Sequence, residues 1–296
     1  MYKEVAIDPT CLADYDCFYL IVMEFGFEKG RYISAAIREW AREAYPSVNG
    51  SDMTTMQRKR VTNFLNKLIK TNSHEWFCLA KSRRSIRQTG LWVDWWKQQN
   101  RLITYPVTIS GRQLPDTIDL LSITNGHDSW RISPTVQVGR NPSEIIDIIE
   151  PLLRLGNSLK IVDQYFPFSS NNTLTELIKR LSHVGSSIKS IHLVTSIRSA
   201  NPEAVYDEYK SIMPIGLHLR VTVIPEKYIH DRYFITETGA LKAGHGFKDA
   251  ARQGVPADRL SVNICSIDEV VTIKKGITYA YDNGTAIDVF EVIKSE

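Results

Sequence analysis

Between residues 142 and 224 the chain alternates between two hydrophobic periods. PSEIIDIIEPLLRL (142–155), NNTLTELIKRLSHV (171–184) and PEAVYDEYKSIM (202–213) carry apolar residues at helical spacing, whereas SLKIVDQYF (158–166), SIHLVTSI (190–197) and LHLRVTVI (217–224) are short apolar runs rich in β-branched residues. Strands separated by helices of this length pair side by side in a mostly parallel sheet that the helices cover. The first helix is expected to bury Ile145, Ile148, Ile149 and Leu152 and to bend or break at Pro151. The second is expected to be capped by Asn172 or Thr173. The pattern predicts an α/β domain over 138–296, a mixed sheet flanked by helices, preceded by a smaller α+β region over 1–137.

The stretch that follows the last of these strands, YIHDRYFITETGALKAGHGFK (228–248), reads as a β-hairpin. IHDRYFIT fits a strand, Glu237-Thr238-Gly239 marks a turn and ALKAG returns. His230 and Arg232 stand two apart, so on a strand they leave from one face, while Asp231 points to the other as a salt-bridge partner for the sheet. Glu237 lies beyond the bend. Gly244-His245-Gly246 closes the return strand where a bulky side chain would obstruct a ligand nearing the backbone. An imidazole, a guanidinium, a carboxylate and a glycine-rich exit are therefore expected at one small site.

The spacing His230-x-Arg232, four residues, Glu237, six residues, Gly244 resembles the His-x-Lys, four residues, Asp, six residues, Gly-Ser pattern of the phospholipase D superfamily. Three positions depart from it: Arg232 replaces the Lys, Glu237 the Asp and His245 the Ser. HDR followed by GHGF is more similar to a variant branch that includes the domain at the C-terminus of MIT-domain proteins, and to bacterial proteins with a comparable H-(D/N)-R-Y stretch. The resemblance covers roughly residues 138–285. It implies a phospholipase D-like half-domain and phosphodiester chemistry with no cofactor and no metal, the phosphate charge being met by side chains.

By that resemblance His230 is the nucleophile that forms a phosphohistidine, and Arg232 is a bidentate clamp on non-bridging oxygens. Glu237 orients the imidazole. Asp163 ends its strand where open α/β sheets place ligands, and either joins the catalytic set or caps the next loop. Arg140, in VQVGRNP, is a second phosphate clamp or a surface residue. Gly244 gives the phosphate room, and His245 either adds an acid/base group or fills the pocket. Members that turn over need two such histidines, one as nucleophile and one as general acid. This chain shows one motif, so an active site requires a homodimer that brings two copies of His230 together across an isologous interface.

Charge is concentrated. Residues 51–112 hold twelve Lys or Arg against Asp52, Glu75 and Asp94, in a chain whose net charge is +3. Within this window 53–70 is the clearest amphipathic helix, with Met56, Val61, Phe64, Leu65, Leu68 and Ile69 on one face and Arg58, Lys59, Lys67 and Lys70 off it. Arg83, Arg84 and Arg87 stand beside Trp92, Trp95 and Trp96. Either these guanidiniums grip a nucleic-acid backbone while an exposed ring stacks on a base, or the basic run is solvated surface and the tryptophans are core. Elsewhere LADYDCFYLIVMEFGF is ambiguous between helix and buried strand, and 34–45 is a helix capped by Ser34. YPVTISGRQ, DTIDLLSITNGHDSWRI and the late DRLSVNICSIDEVVTIKKGITYAYDNG read as strands.

Cys11, Cys17, Cys78 and Cys265 show no metal-site pairing, so neither disulfides nor zinc are expected. No apolar run approaches ~18 residues, and MYKEVAIDPT lacks the form of a secretion signal. The expectation is a cytoplasmic protein without membrane insertion. Three functions stand open. The first is a metal-independent phosphodiesterase, a DNA nuclease in a bacterial defence-type system, alone or with other subunits of a defence complex. The others are a non-catalytic phosphate- or nucleic-acid-binding domain, and a scaffold subunit of a larger complex. Retention of His230 favours catalysis; arginine at the lysine position favours binding, because a guanidinium gives up no proton at physiological pH. The basic window favours nucleic acid over lipid.

Overall fold

The computed structural model describes residues 1–112, 114–183, 185–197, 202–250 and 253–294. Gln113 and Val184, at the ends of two expected elements, lie outside the described residues. The chain divides into two units, Tyr2–Ile132 and Ser133–Glu296. The boundary falls ahead of the expected 137/138 because 135–139 form a strand that pairs with 259–263.

The first unit runs β1 (Lys3–Ile7), α1 (Tyr15–Glu24), β2 (Arg31–Ile33), α2 (Ile37–Asn49), α3 (Thr55–Thr71), α4 (Trp92–Leu102), β3 (Val107–Ile109) and α5 (Leu120–Thr124). Its three strands are parallel, in the order β2-β1-β3. The ambiguous run after residue 12 is helical because the Asp14 carboxylate accepts the amide of Asp16 and caps it. Helix α2 starts at Ile37 rather than at Ser34, whose hydroxyl instead meets Glu4 and Tyr105. Thr54 and Gln57 form a capping box at the start of α3, and Val61, Leu65 and Leu68 seat that helix in the core. The segment DTIDLLSITNG holds a short helix, α5, in place of an expected strand, since the Asp119 side chain accepts the amide of Ser122.

The second unit runs β4 (Thr135–Gly139), α6 (Pro142–Leu155), β5 (Ser158–Val162), α7 (Asn172–His183), β6 (Ser190–Thr195), α8 (Pro202–Tyr209), β7 (His218–Val223), β8 (Arg232–Ile235), β9 (Ala240–Ala243), β10 (Arg259–Ile264), α9 (Ile267–Asp282) and β11 (Ile287–Ile293). One mixed sheet holds all eight strands in the order β11-β7-β6-β5-β8-β9-β10-β4. β5, β6 and β7 are parallel, as the alternation predicts, and the remaining pairs are antiparallel. Helix α6 continues through Pro151 and buries Ile145, Ile146, Ile149 and Leu152. The cap of α7 is Asn171, whose side-chain oxygen accepts the amide of Leu174, one residue earlier than expected. The late segment expected as strands is broken by the sixteen-residue α9. Ser266 and Glu269 cap it reciprocally, and Val270, Ile277 and Ala280 are its buried face. Among the described residues no helix is long and apolar enough to cross a membrane.

Lys160, His192 and Arg220 lie in one register row across β5, β6 and β7. His192 Nε2 is 2.8 Å from Thr222 Oγ1, and Thr222 donates to Asp288 at 2.6 Å. Burial, reinforced by Lys160 and Arg220, brings the imidazole down to about 4. The folded state therefore holds the ring neutral where the unfolded chain, titrating near its ordinary value of 6.5, takes up a proton. This contribution to stability is complete above pH 6.5 and is lost as pH falls toward 4. Thermal melts from pH 7 to 4 are expected to show a slope of at most about 1.4 kcal/mol per pH unit that is absent in His192→Gln. Parallel curves for the two proteins would refute this.

Candidate functional site

β5 ends in a buried acid. Asp163 keeps its backbone in the sheet through a 3.0 Å bond to the Val194 carbonyl, and its side chain is 1% exposed. Oδ1 accepts the amide of Tyr165 at 2.9 Å, and Oδ2 accepts that of Phe247 at 3.0 Å. The carboxylate thus ties the end of β5 to the loop that leaves β9. Burial pushes its pKa above the ordinary carboxylate range; the two amide bonds and the charges of Arg232 and Arg140 oppose that in part.

Arg232, the first residue of β8, reaches the same place. Its Nη1 donates to the Gly244 carbonyl at 2.7 Å, and its Nε lies 3.9 Å from Asp163 Oδ1 with no hydrogen-bond partner. The guanidinium sits 5.4 Å from the ring centre of Tyr165, whose hydroxyl donates to Glu226 at 2.6 Å. Arg140, just after β4, donates through Nη2 to the carbonyls of His245 (3.4 Å) and Lys248 (3.3 Å), and its Nε is buried without a partner. Two guanidiniums therefore hold one loop, 244–248, by its carbonyls, and in each the Nε is buried without a hydrogen bond.

His230 precedes β8 and is exposed, with no hydrogen bond or ion pair among the described residues. The hairpin pairing ends at Arg232 and Ala243; His230 lies two residues before it and His245 two residues after it, and His245 is also exposed. Both histidines emerge at the open end of the hairpin, so His245 does not fill a pocket. Asp231 is an ion-pair partner for the sheet, 3.2 Å from Lys242.

Glu237 is elsewhere. It lies past the other end of β8, where it accepts the backbone and side-chain nitrogens of Asn157 and the amide of Ser158 at the start of β5. It stands five positions along the chain from Arg232, on the order of 16 Å for extended backbone. It caps a strand and cannot orient His230. Gly244 also departs from expectation: a Cβ there would meet nothing within 4 Å, so its contribution is its carbonyl. The demanding glycine is Gly246, with φ of +81° and a hypothetical Cβ only 2.8 Å from Asp163 Oδ2. Tyr165 and Phe247 were not expected at the site. The Asp-x-Tyr and Gly-x-Gly-Phe runs were the signals available for them.

The expected nucleic-acid patch in the first unit is not one surface. Arg83 is fully buried, bonded to Glu4 at 3.0 Å and to the carbonyls of Ile103 and Gln99. Trp92, Trp95 and Trp96 are core, with Trp92 and Trp96 stacked on each other. No ring remains to stack on a base there. Arg84 and Arg87 are exposed, and Arg84 Nε donates to the Leu79 carbonyl at 3.0 Å.

No family model matches the chain, and no curated protein does. Among solved structures it is similar to Nuc from Salmonella typhimurium, a phospholipase D family member, at 12% identity and a TM-score of 0.32, over 53% of this chain and 97% of that one.

Proposed function

We propose that the open end of the β8–β9 hairpin is a phosphate site, and that the chain is a phospholipase D-like phosphodiesterase acting on DNA with His230 as nucleophile. The observation that carries this reading is an exposed His230, without hydrogen bond or ion pair among the described residues, two residues from an Arg232 whose buried Nε has only the 3.9 Å ion pair to Asp163 and no hydrogen bond. A phosphate held by that fork and by Arg140 would lie within reach of the imidazole. Attack by a ring nitrogen on phosphorus forms a P–N bond as the P–O bond to the leaving group breaks. A second histidine gives that oxygen its proton, and water then cleaves the phosphohistidine. His245 on the facing loop, or His230 of a second copy in a homodimer, supplies the second imidazole. The setting implied by the resemblance is a bacterial defence system, alone or with other subunits.

Phosphate binding without turnover is the second reading, and the position of Glu237 favours it: no carboxylate among the described residues bonds to His230. End-labelled DNA incubated in EDTA with the wild type and with His230→Ala separates the two. Cleavage that survives EDTA and falls at least about 10³-fold in the variant is expected for a covalent nucleophile. Absence of product from both leaves binding alone.

A further inference from the structure

We infer that the outer face of α3 grips the phosphate backbone of a nucleic-acid duplex without reading its sequence. This deepens the nucleic-acid reading of the proposed function but rests on a different unit of the chain. Between Asp52 and Glu75 there is no acidic residue, while Arg58, Lys59, Arg60, Lys67 and Lys70 all fall on this one helix. Arg58 is tied to the Ser51 and Met53 carbonyls and Arg60 to the Tyr15 hydroxyl. Lys59, Lys67 and Lys70 are exposed, and their side chains have no hydrogen bond or ion pair among the described residues.

A helix whose outer face is merely solvated gains from opposite charges at i, i+4 and loses from like ones. Here no opposite charge exists to pair, and Lys67 and Lys70 repel one turn apart, so the array weakens the helix that carries it. A polyanion would relieve that repulsion. The geometry suits a backbone: at about 100° and ~1.5 Å per residue, Lys59, Asn63, Asn66 and Lys70 form one stripe about 16 Å long, with Lys67 at its flank. Asn63 and Asn66 are exposed amides between the ammonium groups, able to donate to phosphate oxygens. No aromatic residue lies on this stripe, and Phe64, the one aromatic of α3, packs against Phe18 and Trp76. Single-strand binding depends on stacking rings, so the face fits a duplex.

The test uses the full chain carrying His230→Ala, so that no turnover intervenes, and a fluorescein-labelled 20-base-pair DNA duplex titrated by anisotropy from 50 to 200 mM salt. Changing Lys59, Lys67 and Lys70 together to Gln keeps good helix formers and removes the repulsion, so the fold is expected to survive, which circular dichroism checks. Affinity at 100 mM salt is expected to fall at least about tenfold, and the slope of log K against log salt by about 2.7, near 0.9 for each phosphate no longer neutralised. Lys97→Gln with Arg101→Gln, exposed cations of α4, is expected to change affinity less than about twofold. Equal loss in the α4 variant, unchanged binding in the α3 variant, no duplex binding by the parent, or tighter binding of a single strand would each overturn the inference. A wild type that binds duplex through α3 yet cleaves nothing would end the phosphodiesterase reading and leave this one standing.

Discussion

Arg83→Ala is expected to destabilise the first unit by about 3–5 kcal/mol, the range seen when one partner of a buried ion pair is removed. The side chain is fully buried in the turn before α4 and serves four acceptors at once. Nε and Nη2 face the two Glu4 oxygens at 3.0 and 3.4 Å, and Nη1 donates to the Ile103 and Gln99 carbonyls at 2.8 and 3.2 Å. Its planar head lies 3.7 Å from the ring centre of Tyr105. Truncation removes the guanidinium from both oxygens of Glu4, which is 7% exposed on the central strand β1. Lysine does not restore the arrangement, because one ammonium cannot address four acceptors spread over a plane. All six tryptophans, Trp40 to Trp130, belong to this unit, so urea denaturation followed by tryptophan emission reports on it alone. Arg84→Ala, on the exposed neighbour, is expected to stay within about 0.5 kcal/mol of wild type. A loss below about 1 kcal/mol for Arg83→Ala, coupled to weaker DNA binding, would return Arg83 to a nucleic-acid interface.

The contrast between Arg83 and Arg84 shows where sequence stops being informative. A run of basic residues reads as surface because its neighbours are polar; the acid that buries Arg83 lies 79 residues away in the chain. Period-based inference does better where partners are local. The parallel core β5-β6-β7 follows from alternation of strand and helix lengths, each set by side chains within one segment. Helix α9 resists that treatment because Val270, Val271, Ile273 and Ile277 are β-branched and suit a strand. The reciprocal Ser266–Glu269 cap and the buried face at Val270, Ile277 and Ala280 decide otherwise. At the site, Arg232, Asp163, Arg140 and the 244–248 loop are joined at one end of the sheet by contacts between strand ends and the hairpin exit, with His230 exposed two residues before β8. Glu237 does not, because a linear spacing counts residues without saying that Thr236 to Gly239 turn the chain at the far end of the hairpin.

Gly246→Ala is expected to cost about 2–4 kcal/mol in the second unit and to abolish whatever the open end of the hairpin does, whereas Gly244→Ala leaves both nearly unchanged. At φ of +81° a side chain adds about 1–2 kcal/mol of backbone strain. The added methyl would also stand 2.8 Å from Asp163 Oδ2. That oxygen cannot swing away cheaply, since the carboxylate is 1% exposed and fixed by the amides of Tyr165 and Phe247. Relief must come from the loop. Moving it breaks the Phe247 amide bond, leaving a buried acceptor short by about 1–3 kcal/mol, and drags Phe247 off Phe234, their ring centres now 4.2 Å apart. The carbonyls of Gly244 and His245 move with it, so Arg232 and Arg140 lose the anchors that hold their guanidiniums at this end of the sheet. Because no tryptophan lies in this unit, calorimetry is the suitable measurement, with DNA binding or cleavage followed in parallel. Equal stability for the two alanine variants would mean that the Asp163–Phe247 tie does not hold the loop, and that the guanidiniums are placed by something other than the glycine turn.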